Sequence, residues 1–322
     1  MGKPITILCP FCLRDIPPGS KVCTFKDCEK DIPPMYLKKC NPKSLTVLST
    51  VGFGGHGKTV YLAALLHALD QVSNFWKGFY RQALNMHSVA TIRNNIQSLS
   101  MGRLPDFTQK NFPEPSIHRL AKIPQFNEQT LLIYDTSGES FESDQDIENF
   151  AGFIRRSHVA WFILSPGDLK AEEKDDKEQL ADRMFRLLNI YTLGMAALDG
   201  MTQNQHLVIV YTKGDTLNEW LTDYPKIWEY INTSELQVKW DMSSYLNGLK
   251  SLSNQLRGFT RDVLEAQNFI NLATEQFASV EFCIVSALGS APVNGKLSVK
   301  MSPRRVLDPL LWAIVKSRNS VR

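Results

Sequence analysis

The sequence predicts an α/β fold in which helices cover both faces of a mostly parallel sheet, preceded by a small cysteine-rich module. Three observations favour this fold. Apolar, β-rich runs alternate along the chain with helical patterns, as in sheets built from strand–helix–strand units. The first of these runs ends in a glycine-rich loop that leads directly into a helical pattern. Five of the six cysteines lie in the first 40 residues.

The cysteine-rich module has the spacing of a metal site. Cys9 and Cys12 form one pair, and Cys23 and Cys28 form a second pair further along the chain. Two such pairs of thiolates close a tetrahedral site around Zn²⁺, which replaces the core that a module of about 40 residues cannot build. We therefore favour structural zinc over a redox Cys-x-x-Cys and over disulfides. Cys40 is an alternative to Cys28 as the fourth ligand.

The Pro-rich, charged stretch 31–43 predicts a linker. The expected domains are therefore a zinc ribbon with its linker over residues 1–43 and an α/β domain over residues 44–322. Zinc ribbons bind nucleic acid, bind proteins or cap a domain, and residues 1–43 do not decide among these roles. The sixth cysteine, Cys283, lies in an apolar run and is expected to be a buried strand residue.

The first strand of the α/β domain, predicted over residues 44–51, leads into a phosphate-binding loop (P-loop, or Walker A motif). Residues 52–59 match G-x-x-x-x-G-K-T, and a helix is predicted over residues 57–71. Backbone N–H groups of such a loop surround a polyphosphate, the lysine reaches the β- and γ-phosphates, and the threonine hydroxyl binds Mg²⁺. The motif indicates a nucleoside triphosphate but not its base. The loop residues predicted to bind it are Gly52, Gly54, Gly55, His56, Gly57, Lys58, Thr59 and Val60.

An insertion over residues 75–104, expected to be helical, separates this helix from the next strands. Thr108 follows it and is our candidate for the threonine whose hydroxyl and carbonyl would meet Mg²⁺ and the γ-phosphate, with Thr91 as the alternative. The candidates for an arginine that contacts the transferred phosphoryl group in cis are Arg81, Arg93 and Arg103. The sequence does not choose among them, so turnover is expected to be slow without a partner.

The remaining elements continue the alternation of strands and helices. Strands are predicted over residues 116–123, 129–135, 158–164, 206–212 and 279–285, and helices over residues 144–156, 172–195, 235–275 and 305–317. A second helical insertion is expected over about 216–277. In an open sheet, ligands bind beyond the carboxyl ends of the strands, so further motifs are expected where strands end.

Three strands do end in such motifs. The first resembles the D-x-x-G element of GTPases, in which a carboxylate meets Mg²⁺ and a glycine N–H senses the γ-phosphate. The second resembles the [N/T]-K-x-D element for guanine, and the third the S-A-K/L element that presents a backbone N–H to guanine O6. Their residues are Asp135, Gly138 and Glu139; Thr212, Lys213 and Asp215; and Ser286, Ala287 and Leu288.

Asp215 distinguishes the bases by hydrogen-bond type. An ionised carboxylate only accepts hydrogen bonds, and guanine offers N1–H and N2–H₂ as paired donors, whereas adenine presents an acceptor at N1. The carboxylate at this position therefore favours guanine over adenine.

With these motifs in order, residues 44–317 resemble the Ras-like, TRAFAC-class P-loop GTPases. The closer resemblance is to bacterial zinc-ribbon GTPases grouped with the double-GTPase families, which share the P-loop, the D-x-x-G-E form, T-K-x-D and a terminal segment like residues 303–312. This resemblance implies a P-loop NTPase fold and a molecular switch that binds GTP and slowly hydrolyses it to GDP and phosphate. Such switches often belong to systems thought to act in bacterial conflict or stress.

The resemblance also implies roles for individual residues. Lys58, Thr108 and Glu139 correspond to catalytic residues, and Thr59, Thr108 and Asp135 to ligands of Mg²⁺. Thr212 stands where Asn is commoner, and Glu139 stands where many relatives carry a Gln that positions water.

Composition and charge limit the partners. The 322 residues are 43% apolar and 21% charged, as in globular proteins. No apolar stretch reaches the roughly 18 residues of a membrane-spanning helix, and we expect a cytoplasmic protein whose partners are GTP, GDP and a protein effector. A net charge of +3 does not indicate a nucleic-acid protein. The alternatives are an ATP-dependent P-loop enzyme, in which Asp135 is the Walker B carboxylate, and a zinc-ribbon adaptor for nucleic acid regulated by nucleotide.

Overall fold

The computed structural model describes residues 6–106, 108–126, 128–176, 178–233, 241–293, 296–297 and 300–319. Its strands are β1 (Ile7–Leu8), β2 (Asp15–Ile16), β3 (Leu45–Val51), β4 (Tyr80–Ala83), β5 (Ser116–Ala121), β6 (Gln129–Tyr134), β7 (Val159–Leu164), β8 (His206–Tyr211) and β9 (Ser279–Ile284). Its α-helices are α1 (Pro34–Lys39), α2 (Lys58–Val72), α3 (Met86–Ser100), α4 (Asp144–Phe150), α5 (Pro166–Asp176), α6 (Leu180–Ala197), α7 (Pro225–Asn232), α8 (Met242–Asp262), α9 (Gln267–Gln276) and α10 (Asp308–Asn319).

The centre of the fold is a seven-stranded sheet with the order β4-β5-β6-β3-β7-β8-β9. The strands from β6 to β9 in this order run parallel, and β4 and β5 add an antiparallel edge. Each residue of β3, β6, β7 and β8 is buried, because helices cover both faces of the sheet. Strands that are buried on both faces consist of near-continuous apolar runs. The expected α/β fold class is confirmed, and so are its six expected strands.

Several elements differ from the sequence prediction. The insertion over residues 75–104 is not wholly helical, since β4 precedes α3 and pairs with β5. The expected helix over 144–156 ends at Phe150 and continues as the 3₁₀ turn Gly152–Arg156. The expected helix over 172–195 is divided between α5 and α6.

The second insertion is helical, as expected, but it is not one long helix. Helix α7 precedes α8, which ends at Asp262, and α9 begins at Gln267. Glu265 lies between α8 and α9 in the left-handed region, with a φ of 55°, a conformation that cannot continue a right-handed helix. Residues 235–240, with which the predicted helix begins, lie outside the described residues.

The N-terminal module packs directly on the sheet. Strands β1 and β2 form a small antiparallel pair, and α1 lies within the stretch that the composition predicts to be a linker. Tyr36 of α1 is fully buried and donates a hydrogen bond of 2.7 Å to the carbonyl of Leu8. Tyr134, the last residue of β6, donates a second hydrogen bond of 2.7 Å to the carbonyl of Pro10. The module is therefore fixed to the strand that precedes Asp135.

None of the helices in the described part of the chain combines the length and apolar character needed to cross a bilayer.

Candidate nucleotide-binding site

The loop between β3 and α2 has the backbone conformation that its glycines allow. Gly52 has a φ of 151°, and a Cβ added to it would lie 2.2 Å from the carbonyl oxygen of Ile163 in β7. Gly57 adopts a φ of 83° immediately before α2, in the left-handed region that favours glycine. The first glycine permits close contact with the neighbouring strand, and the second turns the chain into the helix.

The side chain of Lys58 lies inside this loop. Its Nζ donates hydrogen bonds to the carbonyls of Gly52 at 2.9 Å and of Phe53 at 2.7 Å. Burial lowers the pKa of Lys58 to about 8, while the nearby Asp135 carboxylate acts in the opposite direction. The loop therefore holds a buried amine at its centre, within reach of any polyphosphate that the backbone surrounds.

Three residues that are far apart in the sequence meet at the start of α2. Thr59 Oγ1 donates to Asp135 Oδ2 at 2.9 Å and lies 2.8 Å from Thr108 Oγ1. Thr108 Oγ1 in turn lies 3.4 Å from Asp135 Oδ2. Thr91, the alternative to Thr108, lies instead on α3, with its hydroxyl 3.4 Å from His87 Nε2.

This group of oxygens fits a divalent cation. Asp135 Oδ1 is out of contact with solvent and has no hydrogen-bond partner among the described residues, although such a buried atom normally has one. Burial raises the pKa of Asp135, as expected for a carboxylate whose charge is not fully compensated by neighbours. Hydroxyl and carboxylate oxygens are the ligands that Mg²⁺ prefers. Thr59, Thr108 and Asp135 could therefore hold Mg²⁺.

The turn after β6 approaches the phosphate loop closely. A Cβ added to Gly138 would lie 2.1 Å from the backbone nitrogen of Gly54, so glycine is needed at this contact. Glu139 follows at the start of the 3₁₀ turn Gly138–Phe141; its side chain is exposed, and its N–H donates to Ser137 Oγ at 3.4 Å. A movement of this turn would therefore displace the phosphate loop.

The other motif residues surround a cavity of about 340 Å³ beside the loop. Its lining comes from the phosphate loop and α2, from Leu104 of the first insertion and from the segments after β8 and β9. It includes the motif residues Gly55, Gly57, Val60, Thr212, Lys213, Asp215, Ala287 and Leu288. Asp215 Oδ1 accepts a hydrogen bond of 2.5 Å from Ser286 Oγ. Because a carboxylate has about four lone-pair sites, Asp215 can accept further bonds from a ligand in this cavity.

The segment after β9 is supported by residues near the C-terminus. The N–H of Ser286 donates to the carbonyl of Arg304 at 3.0 Å, and the N–H of Arg304 donates to the carbonyl of Ser286 at 2.8 Å. Ser302 N–H donates to the carbonyl of Leu288 at 2.9 Å. The start of the terminal segment 303–312 is thus hydrogen-bonded to the segment after β9, which lines one side of the cavity.

His56 and Thr212 connect the phosphate loop to the segment that carries Asp215. Thr212 Oγ1 donates to the carbonyl of His56 at 2.8 Å. His56 is buried, its Nδ1 accepts from the N–H of Ser165 at 3.2 Å, and burial lowers its pKa to about 3. A neutral imidazole therefore anchors the phosphate loop to the end of β7.

Two charged residues near the site are absent from the sequence prediction. Asp168, on the first turn of α5, forms an ion pair with Lys213, with Oδ2 and Nζ 2.6 Å apart. Its position just after β7 is a signal that sequence reasoning could have used, since polar residues beyond strand ends often line a site. Arg183 of α6 is buried, with its guanidinium carbon 5.2 Å from the centroid of the Phe53 ring, and no sequence motif indicates it.

The three arginines of the first insertion have different surroundings. Arg81 forms a bidentate pair with Asp70, with distances of 2.9 and 2.7 Å. Arg93 is exposed on α3, and Arg103 forms a backbone bridge with Lys296. The pairing of Arg81 with Asp70 makes it the least available of the three for a phosphate group.

The cysteine cluster has the dimensions of a tetrahedral metal site. The Sγ atoms of Cys9, Cys12, Cys23 and Cys28 all lie within 4.8 Å of one another. Cys9 and Cys28 are 4.0 Å apart, and Cys12 and Cys23 are 3.6 Å apart. Zn–S bonds of ~2.3 Å in tetrahedral geometry place sulfurs ~3.8 Å apart, so this cluster is compatible with Zn²⁺. Cys40 lies outside this group, and burial raises the pKa of its thiol to about 11.

Comparison with known proteins gives a family and a set of similar structures. The chain matches the family model described as Double-GTPase 2 over residues 46–268. It is similar to a GTP-binding protein of the hyperthermophilic archaeon Sulfolobus solfataricus, solved in complex with GDP: 12% identity, 86% of this chain, 53% of that chain and a TM-score of 0.36. It is also similar to the GTPase-like domain of S. cerevisiae Ski7 bound to GTP: 12% identity, 85% of this chain, 50% of that chain and a TM-score of 0.39.

The chain thus spans about half the length of these two solved chains. No curated protein matches it.

Proposed function

Because the chain belongs to the Double-GTPase 2 family, we propose that it binds GTP with Mg²⁺ at the site described above, hydrolyses GTP slowly and acts as a molecular switch. The family expected from the sequence motifs is confirmed. Membership of a GTPase family supports hydrolysis of GTP to GDP and phosphate as the reaction. The assignment of individual residues is our proposal.

One observation carries the choice of guanine. Asp215 lines the same cavity as Gly55 and Gly57 of the phosphate loop, so a purine there would be connected to phosphates on the loop. The carboxylate would accept hydrogen bonds from guanine N1–H and N2–H₂, whereas the N1 acceptor of adenine would oppose it. The backbone of Ala287 and Leu288 lines the cavity as well and would donate an N–H to guanine O6.

The triphosphate would lie on the backbone N–H groups of residues 52–59, with the ammonium group of Lys58 between its β- and γ-phosphates. Lys58 would exchange its hydrogen bonds to Gly52 and Phe53 for bonds to phosphate oxygens. Thr59, Thr108 and Asp135 would hold Mg²⁺, which supplies positive charge to the phosphate oxygens.

A contact between the loop that carries Thr108 and helix α4 supports the switch. Lys110 Nζ, two residues after Thr108, lies 2.8 Å from Asp146 Oδ1 on α4. Gly138 leads into α4 through a short 3₁₀ turn. Contacts of a γ-phosphate with Thr108 and Gly138 would therefore order the two segments together, and hydrolysis would release both.

The residues around the expected γ-phosphate position support slow hydrolysis. Glu139 is exposed and is our candidate for orienting the attacking water, although its carboxylate would repel the phosphate unless it is protonated or acts through water. Arg81 is held by Asp70, and the choice between Arg93 and Arg103 stays open, so we expect turnover to be slow without a partner protein.

The cysteine cluster would bind Zn²⁺ as a structural site. A reducing compartment such as the cytoplasm suits it, because the thiolates are not oxidised to disulfides there. A role in bacterial conflict or stress systems is what the family resemblance suggests for the switch as a whole.

Calorimetry on purified protein tests the base assignment, with GTP, ATP and XTP as ligands. We expect the wild type to prefer GTP over ATP by about 100-fold or more, since each hydrogen bond to a charged group contributes about 1.5–3 kcal/mol. Asp215→Asn should bind GTP more weakly and XTP more tightly than the wild type does, because the amide donates to the C2 carbonyl of xanthine and still accepts from N1–H.

Asp223→Asn, the same change at an exposed position, is the control and should bind like the wild type. Lys58→Ala should lose affinity for all three nucleotides. Equal affinity of the wild type for ATP and GTP would refute the assignment of Asp215 to guanine.

A further inference from the structure

A groove of about 620 Å³ lies between the cysteine-rich module and the α/β domain. The module supplies one wall, which includes Phe11, Arg14 and Lys30. The opposite wall comes from the loop after α3 and from the 3₁₀ turn after α4, and includes Phe112, Phe153, Arg155 and Arg156. Neither the nucleotide site nor the cysteine cluster accounts for this combination of cations and aromatic rings.

Four of the charged side chains that line the groove are cations and one, Asp27, is an anion. Cys12 and Cys28 line it as well, and zinc on the four thiolates would add a charge of about −2. Arg14 and Arg156 are already paired, with Asp27 at 2.5 Å and with Asp15 at 3.4 Å respectively. Lys30 and Arg155 are exposed, and neither has an ion pair among the described residues. A ligand that brings negative charge to these two cations would be attracted without displacing an existing pair.

The apolar part of the groove is suited to a side chain rather than to a stacked base. The ring of Phe153 is stacked on Tyr134, with centroids 4.4 Å apart and planes 7° apart. The amine of Lys30 lies 5.1 Å from the centroid of the Phe11 ring. One face of Phe153 and one face of Phe11 are therefore already covered. Of the three phenylalanine rings only Phe112 is exposed, whereas single-stranded nucleic acid stacks successive bases on several aromatic faces.

Phe112 provides an apolar contact that remains open. It is 41% exposed, and it meets Phe153 edge to face, with centroids 5.8 Å apart. Aromatic residues and arginine are enriched at protein interfaces, and Phe112 and Arg155 line the same groove.

We propose that this groove binds an acidic peptide segment of a partner protein, with one apolar side chain packed on Phe112 and carboxylates at Lys30 and Arg155. The partner is thus defined by its chemistry: a run of Asp and Glu interrupted by one large apolar residue.

The groove is also connected to the nucleotide site, and this second step rests on the proposed function. Phe112 follows Thr108 in the same loop, and Tyr134, on which Phe153 is stacked, directly precedes Asp135. Ordering of Thr108 and Asp135 around a bound triphosphate would therefore change the position of Phe112 relative to Phe153. The groove binds the peptide more tightly in the triphosphate state than in the GDP state.

Fluorescence anisotropy on the full, zinc-loaded chain tests the proposal. The probes are labelled twelve-residue peptides of alternating Asp and Glu with a central Leu, Phe or Trp, the same peptide with a central Ala, and a twelve-nucleotide oligouridylate. We call the peptides with a central Leu, Phe or Trp the anchored peptides. We expect at least one of them to bind with a Kd below about 100 μM, a range typical of weak peptide recognition, and the Ala peptide to bind at least tenfold more weakly.

Variants locate the binding site. The double variant Lys30→Glu, Arg155→Glu should weaken binding of the anchored peptide by tenfold or more, and Phe112→Ala should remove the preference for the anchored peptide over the Ala peptide. Lys26→Glu is the control, because Lys26 is exposed on the same module and does not line the groove. Unchanged zinc content and GTP binding of each variant establish that it is folded.

Three results would overturn the proposal: no anchored peptide binds, the double variant binds as the wild type does, or the oligouridylate binds more tightly than any peptide. The nucleotide step is tested separately with GDP and a non-hydrolysable GTP analogue. Equal peptide affinity in both states refutes the coupling alone. If calorimetry detects no binding of GTP, the proposed function is refuted, and the peptide measurement can still be interpreted.

Discussion

The hydroxyl of Thr212 donates a hydrogen bond of 2.8 Å to the backbone carbonyl of His56, 156 residues earlier in the chain. Thr212 is buried, and its own N–H donates to the carbonyl of Leu164 at 2.8 Å. The segment that carries Asp215 is thus tied both to the phosphate loop and to the end of β7. In a nucleotide complex, these ties would fix the distance between the base and phosphate ends of the site.

Replacement of Thr212 by Val tests this connection. Valine has nearly the same shape but no hydroxyl, so the buried carbonyl of His56 would lose its donor, at a cost of about 1–3 kcal/mol. We expect GTP affinity, measured by calorimetry, to fall by about tenfold or more, while the preference for GTP over ATP is retained because Asp215 is unchanged.

The matched control is Thr212→Ser, which keeps the hydroxyl and should bind GTP nearly as well as the wild type. If Thr212→Val and the wild type bound GTP equally, the hydrogen bond to His56 would have no role in nucleotide binding.

Metal content tests the cysteine cluster. We expect elemental analysis of the purified chain to find one zinc per molecule, because four thiolates within 4.8 Å of one another complete a tetrahedral site. The double variant Cys12→Ser, Cys23→Ser should contain no zinc, since hydroxyl groups do not replace thiolates as zinc ligands.

Cys40→Ser is the control for this measurement. Cys40 belongs to the same segment but not to the cluster, so this variant should retain the metal. Loss of zinc from Cys40→Ser would instead favour Cys40 over Cys28 as the fourth ligand.

His118 makes folding stability depend on pH. It is fully buried in β5, neither ring nitrogen has a hydrogen-bond partner among the residues that the structure describes, and burial lowers its pKa from 6.5 to about 3. The folded protein therefore keeps this imidazole neutral at a pH where the unfolded chain protonates it. Its contribution to stability is complete above pH 6.5 and is lost as the pH falls from 6.5 towards 3.

Urea unfolding of the wild type and of His118→Leu at neutral pH and at about pH 4.5 measures this effect. Each pH unit below the unfolded pKa costs about 1.4 kcal/mol, so protonation of His118 in the unfolded chain lowers the free energy of unfolding of the wild type by roughly 3 kcal/mol at about pH 4.5. The variant lacks this loss and should be less sensitive to acid. The other histidines are the same in both proteins, so equal pH dependence of the two would show that His118 does not titrate as inferred.

The long strands are predictable from sequence for a physical reason. A strand such as β7, Val159–Leu164, is buried on both faces and therefore consists of an uninterrupted apolar run. The phosphate loop is predictable as well, since Gly52 and Gly57 are required by local backbone geometry. Strand β4 is not, because Tyr80–Ala83 has four residues of mixed polarity and its pairing with β5 decides its conformation.

Contacts between distant residues are the part of the site that local patterns do not reveal. The choice between Thr108 and Thr91 depends on which of them the chain brings to Thr59, and the distance of 2.8 Å supports Thr108. The pair formed by Lys213 and Asp168 joins residues 45 positions apart, so neither residue's own sequence neighbourhood indicates the other. The sequence likewise does not reveal how Tyr134 contacts the cysteine-rich module, because Tyr134 and Pro10 are 124 positions apart.

That contact would couple the proposed zinc site to the proposed nucleotide site. Pro10 lies between Cys9 and Cys12, and Tyr134, whose hydroxyl bonds to the Pro10 carbonyl, is covalently joined to Asp135. Because thermodynamic linkage is reciprocal, any factor by which zinc loading strengthens GTP binding is the factor by which GTP strengthens zinc retention. We therefore expect partly metallated preparations to give biphasic titrations, and removal of zinc to be slower once guanine nucleotide is bound.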